Sequence, residues 1–551
     1  MAPGAVAGGF DHAALVRRQA LAGQAGPMAI LKNGKAFMIA CFACLGGLLY
    51  GYNQGVFGGV LVMHSFVNHM GDAATNPTRV GFLTSILELG AWFGTIYSGF
   101  LAEIYSRKYA ILFSTGTFIL GVVIQTTSVT SAASNSILAG RFITGMGVGS
   151  LSMIVPMYNA ECAPPEVRGA MVGLQQLAIT TGIMISFWID YGTNYIGGSG
   201  ARQSDAAWLV PLTLQLVPAV LLRAGMLFMP FSPRWLVHHD REEEARKTLA
   251  SLRNLSSDHE LIELEFLEIK AQSMFEKRST AEHFPHLADG SASSTMKLQF
   301  VAAASLFKSK PMFRRVMLAT LTMFFQQWTG INAVLYYAPK IFGYLGQSST
   351  TTSLLATGVV GIVMWLATIP AVMYVDKLGR KPILVVGAIG MALCHFIIAV
   401  LYAKNADQWP THKAAGWAAV AMVWLFVVHF GYSWGPCAWI NNFIVGQVTP
   451  DMLSHLGYGT YIFFGVLTTM GAAFIYFFFP ETKGLSLEEM DTLFGSAGVA
   501  AADAERMREI NREIGLEEMI HGSVAGQGGV HDEKILEEKA AAAEHRDADS
   551  E

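Results

Sequence analysis

Eleven stretches of this chain are apolar for about twenty residues at a time. They lie at roughly 36–63, 80–101, 109–127, 136–160, 169–190, 207–229, 315–345, 353–375, 382–402, 414–440 and 457–479. A helix of that length crosses a hydrocarbon core of about 30 Å, and in lipid a spanning helix bonds its own backbone polar groups. The chain is therefore predicted to be an all-α polytopic membrane protein. Only 14% of its 551 residues are charged and 52% are hydrophobic, whereas soluble chains carry about 25% charge. The missing charge implies surface that faces the bilayer. A net charge of −4 supplies no basic footprint for nucleic acid. The five cysteines (Cys41, Cys44, Cys162, Cys394 and Cys437) sit in or beside apolar stretches without metal-ligand spacing and read as small buried hydrophobes. No cofactor or metal site is expected, and nothing reads as an enzyme motif. The polar N-terminus has no apolar run followed by a cleavage site, so no signal peptide is expected.

Six apolar segments precede a polar stretch and at least five follow it. The boundaries read 1–35 as an N-terminal tail, 36–230 as a first transmembrane half, 231–312 as a loop with short helices, 313–484 as a second half and 485–551 as an acidic tail, part helical. Lys and Arg concentrate at one set of ends: Lys32 and Lys35, Arg107 and Lys108, Arg168, the central loop, and Lys377, Arg380 and Lys381. The positive-inside rule places both termini and the central loop in the cytoplasm. Features recur between halves. Segment two ends in Glu103 to Lys108 and segment eight in Asp376 to Lys381, while segment six and the last segment leave through Pro230 and Pro480. A parallel repeat about a cytoplasmic connector places substrate near the midplane between halves.

Seven motifs in order carry a family resemblance. They are Gly51-Tyr52-Asn53-Gln54-Gly55; Gly140-Arg141 with Gly145, Gly147 and Gly149; Pro156, Tyr158, Glu161 and Arg168-Gly169; Gln326-Gln327 with Gly330, Asn332 and Tyr336-Tyr337; Asp376 with Gly379-Arg380-Lys381; Gly435-Pro436 with Trp439; and Pro480-Glu481-Thr482-Lys483-Gly484. Over residues 36 to 494 the chain resembles the sugar porter family of the major facilitator superfamily, its fungal members most. The resemblance implies two pseudo-symmetric six-helix halves and a monomeric, multi-pass protein of the plasma membrane. Departures include Ser106 and Lys108 in the turn after segment two, Phe231 where the family has Glu, and Met364 where it often has Asn.

The repeat also exposes a gap. Pro436 lies 280 residues after Pro156, but Pro480 lies only 250 after Pro230. The second half has lost its counterpart of Glu161, Arg168 and Gly169, and segment eleven reads as truncated after Ile440. Residues Asn442 to Pro450 are too few to cross a bilayer, so a short, irregular element is expected between Pro436 and Pro450.

A sugar is uncharged and rich in hydroxyls, which suits amides that both donate and accept. The resemblance carries the family's sugar contacts to Gln176, Gln326, Gln327 and Asn332, with Trp439 as an apolar wall and Asn442 as a further contact beyond the gap. The plainer alternative is that these amides join neighbouring helices. Arg141 and Glu88 are charges inside apolar segments, where function is the default reading; for Arg141 the alternative is snorkelling to the headgroups. By resemblance Arg141 faces the first segment near Asn53, where proton-coupled relatives place an Asp. Asn53 cannot titrate, so facilitated diffusion of a monosaccharide is expected, with Glu88 as the one nearby acid able to substitute. Glu103, Arg107, Glu161, Arg168, Asp376, Arg380 and Glu481 are expected to latch the cytoplasmic side. The rival readings are a proton-coupled sugar, polyol or quinate symporter, a sugar receptor that does not transport, and an inactive variant.

Overall fold

The computed structural model describes residues 17, 20–21, 33–129, 133–198, 200–287, 291–347, 349–406, 408–409, 411–434, 439–481 and 497–521. The longer helices are α1 (Gly34–Val60), α2 (Pro77–Ile104), α3 (Arg107–Thr126), α4 (Ala133–Cys162), α5 (Arg168–Thr193), α6 (Ala206–Met226), α7 (Glu242–Arg253), α8 (Glu260–His283), α9 (Ala292–Ser305), α10 (Lys310–Gln327), α11 (Ile331–Tyr344), α12 (Thr350–Leu378), α13 (Arg380–Asn405), α14 (Lys413–Ser433), α15 (Trp439–His455), α16 (Gly459–Phe478), α17 (Ala497–Glu513) and α18 (Leu516–His521). Among the described residues, nine helices are long and apolar enough to cross a membrane. Contacts divide the chain into two compact units: residues 34–232 with 291–494, and residues 1–33 with 233–290 and 495–551.

In the first unit, glycines let helix backbones nearly touch. A Cβ on Gly145 of α4 would stand 2.1 Å from the Leu87 carbonyl of α2, and one on Gly51 of α1 would stand 1.8 Å from the Ile179 carbonyl of α5. These approaches fix α2 on α4 and α1 on α5. Three further pairings join the halves: α5 on α12, α2 on α15, and α1 on α11.

The seventh apolar segment, read from sequence as one run over 315–345, is two helices. α10 stops at Gln327, Gly330 takes φ +87°, and α11 restarts at Ile331. The space a side chain would need at Gly330 is held by the Phe464 ring. The run 414–440 is likewise two elements, α14 and α15. The expected irregular element between Pro436 and Pro450 is corrected: a regular helix runs from Trp439 through Pro450 to His455. It has 17 residues, about 26 Å of rise. Gly435 and Pro436, with Cys437, lie outside the described residues.

The second unit draws on distant stretches of chain. Leu264 and Ala271 of α8 are buried against Ile510 of α17 and Leu516 and Ile520 of α18. Arg278 pairs with Glu513 at 2.6 Å and Arg506 with Glu282 at 2.7 Å. Arg253 and Glu265 are paired inside it, 4% and 5% exposed, with Asn33 3.5 Å from the same guanidinium.

The turns at the repeat's matching positions are built alike from unlike residues. Between α12 and α13, Gly379 takes φ +92°, ψ 145°. Between α2 and α3, Ser106 takes φ +121°, ψ 158°. That region belongs to glycine and costs other residues about 1–3 kcal/mol. Ser106 Oγ accepts the Tyr109 N–H at 3.2 Å, a cap that a glycine replaces at a loss of only a few tenths of a kcal/mol. Ser106→Gly is therefore expected to raise stability by about 1 kcal/mol or more, read as a higher midpoint of thermal unfolding in detergent.

Candidate functional site

The buried polar residues of α1, α2, α11 and α15 meet around one hydroxyl. Tyr336, on α11, donates its O–H to Glu88 of α2. The same oxygen accepts the Asn442 amide of α15 at 3.2 Å and the Gln54 amide of α1 at 3.4 Å. Gln54 also reaches Asn332 at 3.4 Å, and Asn332 donates to Gln327 across the α10–α11 break. The array is buried throughout: Glu88 is wholly enclosed, and Gln54, Gln327, Asn332 and Asn442 are all under 5% exposed. Glu88 and Gln54 belong to the first half, and Tyr336, Asn332, Gln327 and Asn442 to the second, so the array crosses the line between halves.

The break in the seventh segment makes this possible. Ending α10 at Gln327 and restarting at Ile331 turns two amides toward one another that a continuous helix would place over a full turn apart. The carbonyl of Thr329 in the break accepts from the His395 ring at 2.8 Å. Gln326 donates to the Trp434 carbonyl at the end of α14, so of the two neighbouring glutamines one faces the array and the other ties the second half together.

Toward the end of the bundle that holds Pro77, the halves are joined again. Gln447 of α15 donates to the Thr78 carbonyl at 3.0 Å, Ser85 donates to Gln447 at 3.2 Å, and Thr78 donates to Asp451 at 3.1 Å. Gly58 of α1 lies under the Tyr336 carbonyl, which a Cβ would approach to 2.9 Å. Gly81 of α2 lies as tightly against the Gln447 carbonyl, where a Cβ would come within 2.4 Å. The seam is shut at this end.

Arg141 is fully buried rather than snorkelled. Its guanidinium carbon stands 3.8 Å over the Phe57 ring, and one nitrogen donates to the Thr84 carbonyl at 2.9 Å. The expected approach to Asn53 is corrected by one turn of α1: Arg141 meets Phe57, while Asn53 donates to Gln215 of α6 at 2.7 Å. A cation over an aromatic face and a carbonyl is partly compensated without any carboxylate.

At the opposite end, Arg107 bonds Glu161 at 3.0 Å and Glu103 at 3.3 Å. Ser232 donates to the second oxygen of Glu161. Lys108 donates to the carbonyls of Leu227 and Met229 at 2.8 Å and stands over the Phe231 ring. Glu481 accepts the N–H groups of Arg380 and Lys381 at 3.2 Å, capping the start of α13 where the helix dipole favours an anion. These bonds tie the helix ends of each half to its own exit strand. Arg168 lies at the start of α5. The side chains of Asp376 and Trp439, and the residues Thr482 to Gly484, lie outside the described set.

Of the proposed sugar contacts, Gln327, Asn332 and Asn442 come together. Gln176, on α5, is half-buried. Its neighbour Gln175 is buried against Gly47 with no partner for either amide atom. Met364 is buried on α12, and nearby Trp365 donates to Thr181 of α5 at 3.0 Å. The sequence reading passed over Tyr336 and Gln54. Both stood inside quoted motifs, Tyr336 one turn from Asn332 and Gln54 beside Asn53.

The family model described as "Sugar (and other) transporter" matches residues 39–441 and again 437–494. The quinate permease of Emericella nidulans is 30% identical over 537 residues, covering 92% of this chain and 97% of that protein. The MFS-type transporter qa-x of Neurospora crassa is 32% identical over 518 residues, covering 87% of this chain and 92% of that protein. The match to the first relative runs over more positions than 92% of 551 residues can fill, so part of that relative has no counterpart here. The xylose transporter XylE from E. coli, in a partially occluded inward-open conformation, superposes with a TM-score of 0.66 at 26% identity, covering 82% of this chain and 100% of that one. The proton:xylose symporter XylE bound to 6-bromo-6-deoxy-D-glucose gives 0.65 at 26% identity, covering 84% and 99%.

Removing the Tyr336 hydroxyl would take a partner from Glu88, Gln54 and Asn442 at once, leaving Gln54 its bond to Asn332, and each buried group left unpaired costs about 1–3 kcal/mol. Tyr337 donates once, to the Gly446 carbonyl at 2.7 Å. Tyr336→Phe is expected to lower the unfolding midpoint several times as far as Tyr337→Phe, measured by thermal unfolding of the purified protein. Equal shifts would show that the three partners hold each other without the hydroxyl.

Proposed function

We start from the fact that the chain belongs to the sugar porter family of the major facilitator superfamily, and we propose that it carries a polyhydroxylated six-membered ring, a monosaccharide or quinate, by alternating access. Membrane transport of sugar-like molecules is the family's work, and the finer choice rests on the amide array. Gln54, Gln327, Asn332 and Asn442 each offer donors and acceptors, and they sit on both sides of the line along which the halves must part. Ring hydroxyls can take over those bonds one for one, which is how a site built for hydroxyls rejects analogues lacking them. Quinate presents a similar ring of hydroxyls with one carboxylate, and the names of the fungal relatives make it the acidic member of the class to test.

The sidedness follows from the Lys and Arg distribution. The Gly34 end is cytoplasmic, with both termini, and the protein acts as a monomer in the plasma membrane. The seam shut near Pro77 then makes this the inward-facing form. Glu103, Arg107, Glu161, Arg168, Asp376, Arg380 and Glu481 belong to the side that must close next, and the bonds of Arg107, Glu161 and Glu481 rearrange when it does.

A second reading is favoured by α15. Its 17 residues fall short of a core of about 30 Å at 1.5 Å each, and the family match divides at residues 437–441. A second half shortened toward the cytoplasm would bind substrate yet fail to close behind it. Uptake of labelled D-glucose, D-xylose and quinate in a transport-null host, beside binding to purified protein, separates the two. Uptake of one probe supports transport. Binding without uptake supports the second reading, and insertion of about two dozen residues after Ile440, roughly one spanning helix, should then restore uptake.

Asn332→Ala is expected to weaken binding of the transported probe by about 0.5–1.5 kcal/mol, and more if Gln327 is left stranded, with surface expression near normal. Unchanged affinity would assign Asn332 to helix packing alone.

A further inference from the structure

We propose that Glu88 carries a proton with the substrate, so that the transporter is a symporter whose coupling group sits on α2 instead of α1. The proposal rests on the transport reading above. Its ground is the placement of one carboxyl. Glu88 is wholly buried, and its bond to Tyr336 crosses the seam between halves. Its other oxygen, Oε2, has no partner. Opening the seam near Pro77 must break the Tyr336 bond, so the surroundings of this carboxyl change with every cycle.

The groups facing Glu88 decide what it does in each state. From α4 comes Arg141, its charged neighbour, whose Nε and Nη1 have no partner. From α11 come Tyr336 and, nearer Arg141, Tyr337. From α15 comes the neutral amide of Asn442. Asp451 of α15 lies farther along α2, at Thr78, and Asp72 is paired with Arg79 at 2.8 Å beyond the helix start. The charges of α3 that reach this pair of helices, Arg107 and Lys108, are at its opposite end. α9 meets α2 near Gly99, also toward that end.

A carboxylate is costly to bury without full compensation, and a neutral acid much less so. With the seam open, water reaches Glu88 and a proton from the Pro77 side can bind one carboxylate oxygen. The seam then closes on the neutral acid, and Tyr336 bonds it. The Tyr336 hydroxyl shares its lone pairs with Gln54 and Asn442, so substrate drawn into the amide array and the proton on Glu88 are held by one set of bonds. When substrate leaves toward the Gly34 end, water enters the array and the proton departs to it. The resulting carboxylate has the unpartnered N–H groups of Arg141 beside it for the return. One proton is taken up on one side and released on the other, and no covalent bond to carbon changes.

Asp190 is the competing carboxyl. It is fully buried and neither oxygen has a partner, but it packs against Gly59 of α1, within a single half, and crosses no seam.

The test uses the full chain in liposomes loaded with a pH-sensitive dye, with D-glucose, D-xylose and quinate as probes. The wild type is expected to acidify the lumen as probe enters, and to accumulate probe against a gradient by up to about tenfold for each unit of imposed pH difference. Glu88→Gln keeps the shape and the acceptor for Tyr336. It is expected to retain exchange of labelled for unlabelled probe at a reduced rate, with accumulation and proton movement lost. Asp190→Asn should keep both. Exchange by the wild type without proton movement overturns the coupling and leaves the transport reading standing. Proton movement surviving in Glu88→Gln, or lost only in Asp190→Asn, overturns the assignment to Glu88. No exchange of any probe by the wild type removes the transport reading and the coupling with it.

Discussion

A polar atom buried without a partner is expensive, and at the membrane's depth water is not at hand to supply one. The arrangement of the two halves follows from that constraint. Each half brings buried polar side chains to the line between them: Glu88 and Gln54 from one, Tyr336, Asn332 and Asn442 from the other. Across the line between halves Tyr336 donates to Glu88 and accepts from Gln54. The same constraint makes the meeting reversible. Whatever parts the halves must offer these atoms equivalent bonds, and a hydroxyl-rich ligand or water can do so where an apolar one cannot. The glycines of α1, α2, α4 and α5 supply the other condition, which is backbone proximity close enough to bring short side chains within reach of one another.

The spanning helices were legible because a bilayer imposes length and apolarity on each segment separately, with no knowledge of its neighbours. The repeat was legible for the same reason, since it is a property of spacing. Gln327, Asn332 and Asn442 could be named because the family resemblance carries its sugar contacts to them. Their partners were not legible. Asn53 and Phe57 are one turn apart on α1, and only packing decides that the first meets Gln215 and the second Arg141. The break at Gly330 was open to suspicion from its sequence, but which residues it would turn together depends on Phe464 filling the space beside it. Beyond Ile440, counting residues led to the expectation of a short, irregular stretch. It misjudged the outcome, because a helix can start at Trp439 and run through Pro450 when nothing forces it to stop.

Ser106 and Gly379 show how far the repeat reaches. The two turns share a backbone conformation that suits glycine, yet only the second half has one. In the first half the serine hydroxyl caps the following helix, and Arg107 is held by Glu161 and Glu103 directly beside it. A strained residue set among strong local bonds keeps its geometry because the surroundings over-determine it. Equivalent backbone paths are thus maintained by different means in the two halves.

The unit built from α7, α8, α17 and α18 has a temporal consequence. Leu264 and Ala271 are synthesised about 240 residues before Ile510, Leu516 and Ile520, which cover them. Contacts so distant along the chain form late, after the loop between them has been paid out. During translation the whole second half must emerge and insert while this apolar face stays bare, available to chaperones or to another nascent chain. These later-made helices complete a core that α8 begins. A chain lacking them is left with Leu264 and Ala271 uncovered on that side.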